Sequence, residues 1–293
     1  MGFPGARVVG SFEVATALGR RHWLRHDLPP PRTTLRSLGL GRNDPTMRVL
    51  VCRPAGGCPG HPTTTLVIDG ELAVDAGSLG WFAPPAEQAR VRHVLLTHAH
   101  MDHVAGLSVF IDNVYQLGPE PPTVLGLPET LAALRSHVFN DTLMPDFVEL
   151  GRRMAPFLHT RPLAAGVAVA LGRYTVTPHA VDHTVPTVAY TIDDGADAVA
   201  VVTDTAPVPA LFERLAAWPR LAAVYLEASF PARLADLAAL TKHLTTADFL
   251  TVAARLDAVG VPVHPIHVKP RHSGEVLAEL RAAGRPNVVL DGL

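Results

Sequence analysis

The chain has 293 residues, 48% hydrophobic and 18% charged, enough to bury a full core in one or at most two domains. A formal net charge of −2 speaks against a dedicated nucleic-acid binder, which needs a clustered basic stripe, and against a polyanionic partner in general. Gly 23 and Pro 27 without a period exclude collagen-like and wholly disordered chains.

Residues 1–46 are Arg-rich, carry a triple proline at Pro29–Pro31 and show no period of 2 or 3.6. They read as a poorly ordered extension or a product of start-site choice rather than as a basic arm. Glu13, Arg20 and Arg21 interrupt any signal-peptide pattern, and no apolar run reaches the ~18 residues of a membrane span, so cytoplasmic residence is the expectation. Cys52 and Cys58 lie in a Gly/Pro-rich stretch and are expected to form neither a disulfide framework nor a zinc motif. The outlying number is His 15, because histidine both titrates near neutrality and commonly ligates metals.

A regular domain is predicted over 47–293. It opens with strands at Arg48–Cys52, Thr64–Asp69 and Glu71–Asp75, the last two joined by a tight turn at Asp69-Gly70. A helix at Ala86–Arg90 and an apolar strand at Val91–Leu96 follow, and the strand runs directly into Thr97-His98-Ala99-His100-Met101-Asp102-His103. A helix is predicted at Glu129–Phe139, then strands at Val167–Ala170, Tyr174–Pro178, Thr187–Ile192 and Ala198–Thr203. Helices at Val208–Leu215, Ala247–Val259 and Gly274–Ala283 alternate with strands at Ala222–Leu226, Val261–Ile266 and Asn287–Leu290. The strands fall into two groups, each followed by helices, which predicts two sheets with helices outside.

His98-x-His100-x-Asp102-His103 places three imidazoles and a carboxylate within six residues of a loop after a buried strand. The plain alternative is a set of surface histidines with a capping Asp. Beside Val94-Leu95-Leu96, however, four ligand-type side chains are costly to leave unpaired, so a metal site is expected. Nitrogen and oxygen ligands without thiolate suit zinc, with manganese or iron compatible.

This motif resembles that of the metallo-β-lactamase superfamily. The resemblance implies an α/β fold, a four-layer αββα sandwich, holding two divalent metal ions between its sheets. It also implies that His98, His100 and His183 serve one metal, Asp102, His103 and His267 the other, and Asp204 both. His179 competes with His183, and His264 with His267. Alternation along a strand would put His264 and His267 on opposite faces, so only one of them can point at the metals. Glyoxalase-type members usually carry Thr-Pro-Gly-His-Thr at the third histidine, where this chain has Asp182-His183-Thr184-Val185-Pro186. Flavodiiron proteins put Glu where this chain has His100.

Within the superfamily the resemblance is closest to the class II 3′,5′-cyclic-nucleotide phosphodiesterases. It rests on segments such as Val74–Leu79, Asp102–Leu107, Gly126-Leu127-Pro128, His137–Asp141, Tyr225–Phe230, Lys242–Thr245 and Ile266–Pro270. Met144 departs from the family, which tends to have an aromatic there. The implied activity is hydrolysis of cyclic AMP or cyclic GMP to the 5′-nucleotide by a metal-bridging hydroxide. The leaving 3′-oxygen needs a proton, for which His243 is the candidate donor, oriented by Glu227; with Asp102 these form the expected catalytic set. A buried carboxylate serving a local donor, and a histidine merely preceding a Thr245 cap, remain open alternatives. Lys269, Asn140 and Asp141 are candidate substrate contacts, although surface solvation and helix termination explain the same residues.

The expected partner is a small-molecule phosphodiester, with neither nucleic acid nor membrane, and a homodimer is compatible. Other readings are a tRNA 3′-processing endonuclease of the RNase Z type, a generic ester or lactone hydrolase, and a non-catalytic metal or ligand sensor. The first usually carries a long arm between the third histidine and the bridging Asp, whereas only residues 184–203 lie between them here.

Overall fold

A computed structural model describes residues 47–52 and 60–290; the predicted extension over 1–46 and Cys58 lie outside the described residues. Strands β1 (Val49–Val51), β2 (Leu66–Ile68) and β3 (Leu72–Val74) open the fold, followed by α1 (Pro85–Gln88), β4 (His93–Leu95), α2 (Met101–Val104) and α3 (Leu107–Val114). Next come β5 (Thr123–Gly126), α4 (Pro128–His137), α5 (Phe147–Arg153), β6 (His159–Pro162), β7 (Val169–Leu171), β8 (Tyr174–Val181), β9 (Thr187–Asp193) and β10 (Ala198–Val202). The rest is α6 (Pro209–Ala216), β11 (Leu221–Glu227), α7 (Ala235–Thr241), α8 (Thr246–Asp257), β12 (Val263–Ile266) and α9 (Ser273–Ala283).

Among the described residues these strands form two six-stranded sheets, ordered β1-β2-β3-β4-β5-β6 and β12-β11-β10-β9-β8-β7. Each has an antiparallel part and a parallel part. Strand alternation generates the layers: Leu66, Ile68, Leu72, Val74 and Leu95 pack against Val188, Tyr190, Ile192, Val199 and Val201 between the sheets. Their neighbours Val67, Ala73 and Val94 point the other way, onto Leu107, Phe110 and Ile111 of α3. On the second sheet Ala200, Val202, Val224 and Leu226 meet Phe212 of α6, Phe249 and Val252 of α8, and Val276 of α9. The result is the expected αββα sandwich.

Local chemistry accounts for the connections. Asp69 and Gly70 both have positive φ, 52° and 73°, and Glu71 N–H closes the turn on Ile68 O at 3.0 Å, the geometry of a type I′ hairpin. Helix α8 starts at a capping box in which the Thr245 side chain accepts from Asp248 N–H and Asp248 accepts from Thr245 N–H.

Two predictions need correction. Asn287–Leu290 is not a strand but a single bridge from Val288 to Val263. On that side of β12 the next residue able to extend the ladder is Pro265, which has no N–H to donate. The sequence pattern also does not predict α2, α3, β5, α5, β6 or α7: β5 is only four residues between Pro122 and Pro128, and β6 is an exposed edge with no alternating pattern to read.

Candidate metal centre

The site lies where several strands end. His98 and His100 follow β4, Asp102 and His103 occupy α2, and His183 follows β8 by two residues. Asp204 follows β10, Glu227 is the last residue of β11, His243 follows α7, and His267 follows β12. The second sheet pins the first loop: Tyr190 O–H donates to Leu96 O at 2.7 Å, and Val188 N–H donates to Thr97 O at 3.1 Å.

Three groups of ligand atoms converge among the described residues: His98, His100, His183 and Asp204; Asp102, His103 and His267; and Asp204, His243 and His267, which overlaps the first two through Asp204 and His267. His98 Nε2 is 2.9 Å from His100 Nδ1 and 3.7 Å from Asp204 Oδ2; His183 Nε2 is 3.3 Å from His100 Nδ1 and 3.6 Å from Asp204 Oδ2. The other Asp204 oxygen, Oδ1, lies 3.3 Å from His103 Nε2 and 3.1 Å from His267 Nδ1. Asp102 Oδ2 is 3.2 Å from His267 Nε2 and 3.9 Å from His103 Nε2. Asp204 thus presents one oxygen to each of the first two groups.

These residues fit a pair of divalent ions. Ligands ~2.0–2.1 Å from a tetrahedral zinc sit roughly 3.3 Å apart, which matches the separations above. Two buried atoms, His103 Nε2 and Asp204 Oδ1, have no hydrogen-bond partner, a costly arrangement that a shared cation resolves.

The surrounding contacts orient the rings. His103 Nδ1 donates to Asp75 Oδ2 at 2.7 Å, and the same carboxylate accepts Thr97 N–H at 2.8 Å and the Thr97 hydroxyl. His98 Nδ1 is 3.0 Å from Thr97 Oγ1, and His183 Nδ1 donates to Lys242 O at 3.0 Å. Each bond holds one ring nitrogen and leaves the other facing the cluster. Asp75 is fully buried and went unrecognised as a functional group in the sequence; its signal was a carboxylate directly after the apolar run Leu72-Ala73-Val74.

Burial pushes the His98, His100 and His183 imidazoles below their ordinary range, which keeps them neutral with lone pairs available. Burial opposes an ionised Asp204, but the neighbouring His267 and His103 hold its carboxyl well below the usual range. Likewise burial opposes an ionised Asp102, and His267, His103 and Lys269 overcome it.

Beside the cluster, His243 Nδ1 donates to Glu227 Oε2 at 2.9 Å, and its Nε2 faces Asp204 Oδ2 at 4.0 Å. Burial would lower the His243 pKa, but the Glu227 hydrogen bond and charge raise it above the ordinary histidine value. Glu227 also accepts Thr205 N–H and the Ser229 hydroxyl, both at 2.5 Å. Lys269 Nζ stands 3.4 Å from Asp102 Oδ2 and 3.2 Å from His267 Nε2.

Both rival histidines are engaged elsewhere. His179 is hydrogen-bonded to Thr191 Oγ1 and sits edge-on to Trp218, while His264 stacks on Tyr225 at 4.7 Å. His267 lies beyond the end of β12 with φ of 54°, so strand alternation does not set its direction. Asn140 and Asp141 are not brought to the cluster by any hydrogen bond among the described residues. Asn140 Oδ1 accepts from Thr142 and Leu143 N–H, and Asp141 Oδ1 from Asp146 N–H, within their own loop. Cys52 is a buried free thiol pushed up to about 12 by burial, and no described helix is long and apolar enough to cross a membrane.

The family model described as the beta-lactamase superfamily domain matches residues 74–286. Over 52 residues the sequence is 44% identical to 3′,5′-cyclic-nucleotide phosphodiesterase 1 of Saccharomyces cerevisiae, covering 17% of this chain and 14% of that protein. Over 65 residues it is 35% identical to the 3′,5′-cyclic-nucleotide phosphodiesterase of Schizosaccharomyces pombe, covering 22% and 18%. The matches therefore span less than a fifth of these curated relatives. Among solved structures, unliganded yeast PDE1 superposes with a TM-score of 0.66 at 19% identity, over 84% of this chain and 98% of that one. The short form of human tRNase Z gives 0.57 at 15% identity, over 77% and 93%. At such identities the likeness is one of fold.

Proposed function

From the premise that this chain belongs to the beta-lactamase superfamily domain family, we propose that it is a binuclear metal-dependent phosphodiesterase that hydrolyses 3′,5′-cyclic nucleotides to 5′-nucleotides. His98, His100 and His183 would hold one ion, Asp102, His103 and His267 the other, and Asp204 would bridge them. Zinc is the proposed metal, since every ligand offers nitrogen or oxygen. When bound, such a pair supplies Lewis-acid stabilisation of phosphoryl charge and acidifies water.

The observation that carries the reading is the His243–Glu227 pair beside this cluster. Phosphodiester cleavage expels an alkoxide, which needs a proton from a group still protonated near neutrality. Glu227 keeps the proton on His243 Nδ1 and stabilises the charged ring, so that Nε2 can deliver a proton to the departing 3′-oxygen. Lys269 adds positive charge beside Asp102, suited to a non-bridging phosphate oxygen. The curated matches to two yeast cyclic-nucleotide phosphodiesterases support the substrate class. Asn140 and Asp141 are retained only as loop residues that a bound base would have to reach. The proposed partner is a small phosphodiester in the cytoplasm.

The test is metal content by elemental analysis, with turnover of cyclic AMP, cyclic GMP and a bis-aryl phosphate in zinc and in manganese. About two metals per chain with cyclic-nucleotide turnover is the expected result. Metal-loaded protein that leaves both cyclic nucleotides intact over hours overturns the substrate assignment.

A further inference from the structure

We propose that His61 is a positioning residue for the second ligand trio, Asp102, His103 and His267, acting through the short strap Gly60–Thr64. The inference rests on the two-metal reading above. His61 is 4% exposed and grips the residue after the ligand His267 from both sides. Its N–H donates to Val268 O at 2.7 Å, and Val268 N–H donates back to His61 Nδ1 at 3.3 Å. Gly60 makes the approach possible: its φ is 74°, and a Cβ there would stand 2.5 Å from that same Val268 oxygen.

The other end of the strap holds the other half of the trio. Thr64 N–H donates to Asp102 O at 2.8 Å, so five consecutive residues touch both segments that deliver ligands to the second ion. The first trio is held from elsewhere, by Thr97 on His98 and by the Lys242 carbonyl on His183.

A restraint is needed at this place because His267 occupies the left-handed region, φ 54°, which a non-glycine residue keeps only when its surroundings over-determine it. Ser229 Oγ, whose proton goes to Glu227, lies 3.1 Å from His267 Nδ1 and 3.0 Å from His267 O and packs against the residue on one side, and the reciprocal His61–Val268 pair supplies the next restraint along the chain. Without the His61 side chain, Val268 N–H loses its buried acceptor and the turn that aims His267 loosens. Removing a group bonded directly to a metal ligand weakens binding typically ~10–100-fold; His61 acts one residue away, through Val268, so the expected loss is the lower bound, ~10-fold.

The experiment titrates zinc into chelator-stripped wild type, His61→Ala and His61→Asn, and reads bound metal per chain by native mass spectrometry. Asn places an acceptor oxygen near the Nδ1 position. Two tight equivalents in wild type and in His61→Asn, with the second weakened ~10-fold in His61→Ala, is the expected result. Equal binding of two ions by His61→Ala, or equal weakening of both, overturns the inference. Fewer than two tight ions in wild type instead overturns the two-metal reading, and the inference with it. Should His61→Ala not fold by circular dichroism, His61→Gln, which moves the acceptor one bond outward without emptying the space, takes its place.

Discussion

His243 is held at one nitrogen and directed with the other: Nδ1 donates to Glu227 Oε2 at 2.9 Å, and Nε2 faces Asp204 Oδ2 at 4.0 Å. His243 groups with Asp204 and His267 as a possible ligand, but both trios are complete without it and its Nδ1 is bonded to Glu227. His243→Ala is therefore expected to retain about two metals while kcat falls on the order of 10²–10⁴-fold, the usual contribution of a general acid. Glu227→Gln should lower kcat in the same direction. Loss of metal from His243→Ala equal to that from an Asp204 variant would mean that His243 is a ligand.

Asp204 offers Oδ2 to one group and Oδ1 to the other, at 3.1–3.7 Å from four imidazole nitrogens. Asp204→Asn removes the shared negative charge and should release both ions together. Elemental analysis is expected to find well under one metal per chain, with kcat/KM down at least about 10³-fold. Retention of one tightly held ion would contradict the bridging role.

Asp75 accepts from Thr97 N–H, the Thr97 hydroxyl and His103 Nδ1 while wholly shielded from solvent. Asp75→Ala strands these donors, and each unsatisfied buried group costs about 1–3 kcal/mol. Urea unfolding of the metal-free protein is expected to show a loss of about 3 kcal/mol. A midpoint within error of wild type would show that water replaces the carboxylate.

His179 provides a pH test outside the metal site. Burial, with help from the Arg214 charge, lowers its pKa from an unfolded value near 6.5 to about 4, so the folded state favours the neutral ring. Its contribution to stability is complete above pH 6.5 and is lost as pH falls toward 4, where the unfolded chain binds the extra proton. With metals stripped, His179→Gln should flatten the decline of the thermal midpoint over that window by an amount equivalent to on the order of 1–3 kcal/mol. An unchanged slope would place the ring in contact with water.

Much of the architecture was legible because it depends on short-range regularities. Short unbroken apolar runs at Leu66–Ile68, Leu72–Val74 and Ala198–Val202, bounded by turn residues, mark strands buried on both faces, and the Asp69-Gly70 turn forces neighbouring strands together. His98, His100, Asp102 and His103 lie within six residues, so one loop and the first turn of α2 suffice to bring them near one another.

What tertiary structure decided involves residues far apart in sequence or conformations that no periodicity encodes, and for His183 and His267, which the resemblance named against competing histidines, it supplies the geometry. His183 rather than His179 faces the cluster because β8 ends at Val181 and Lys242, 59 residues away, supplies the carbonyl that turns the ring. His267 rather than His264 does so because the chain leaves the extended conformation there, held by Ser229 and His61. The burial of Asp75 against His103 depends on β3 and β4 lying side by side. Pattern determines which residues share a face; the closing of long loops and the satisfaction of buried polar groups determine which of them meet.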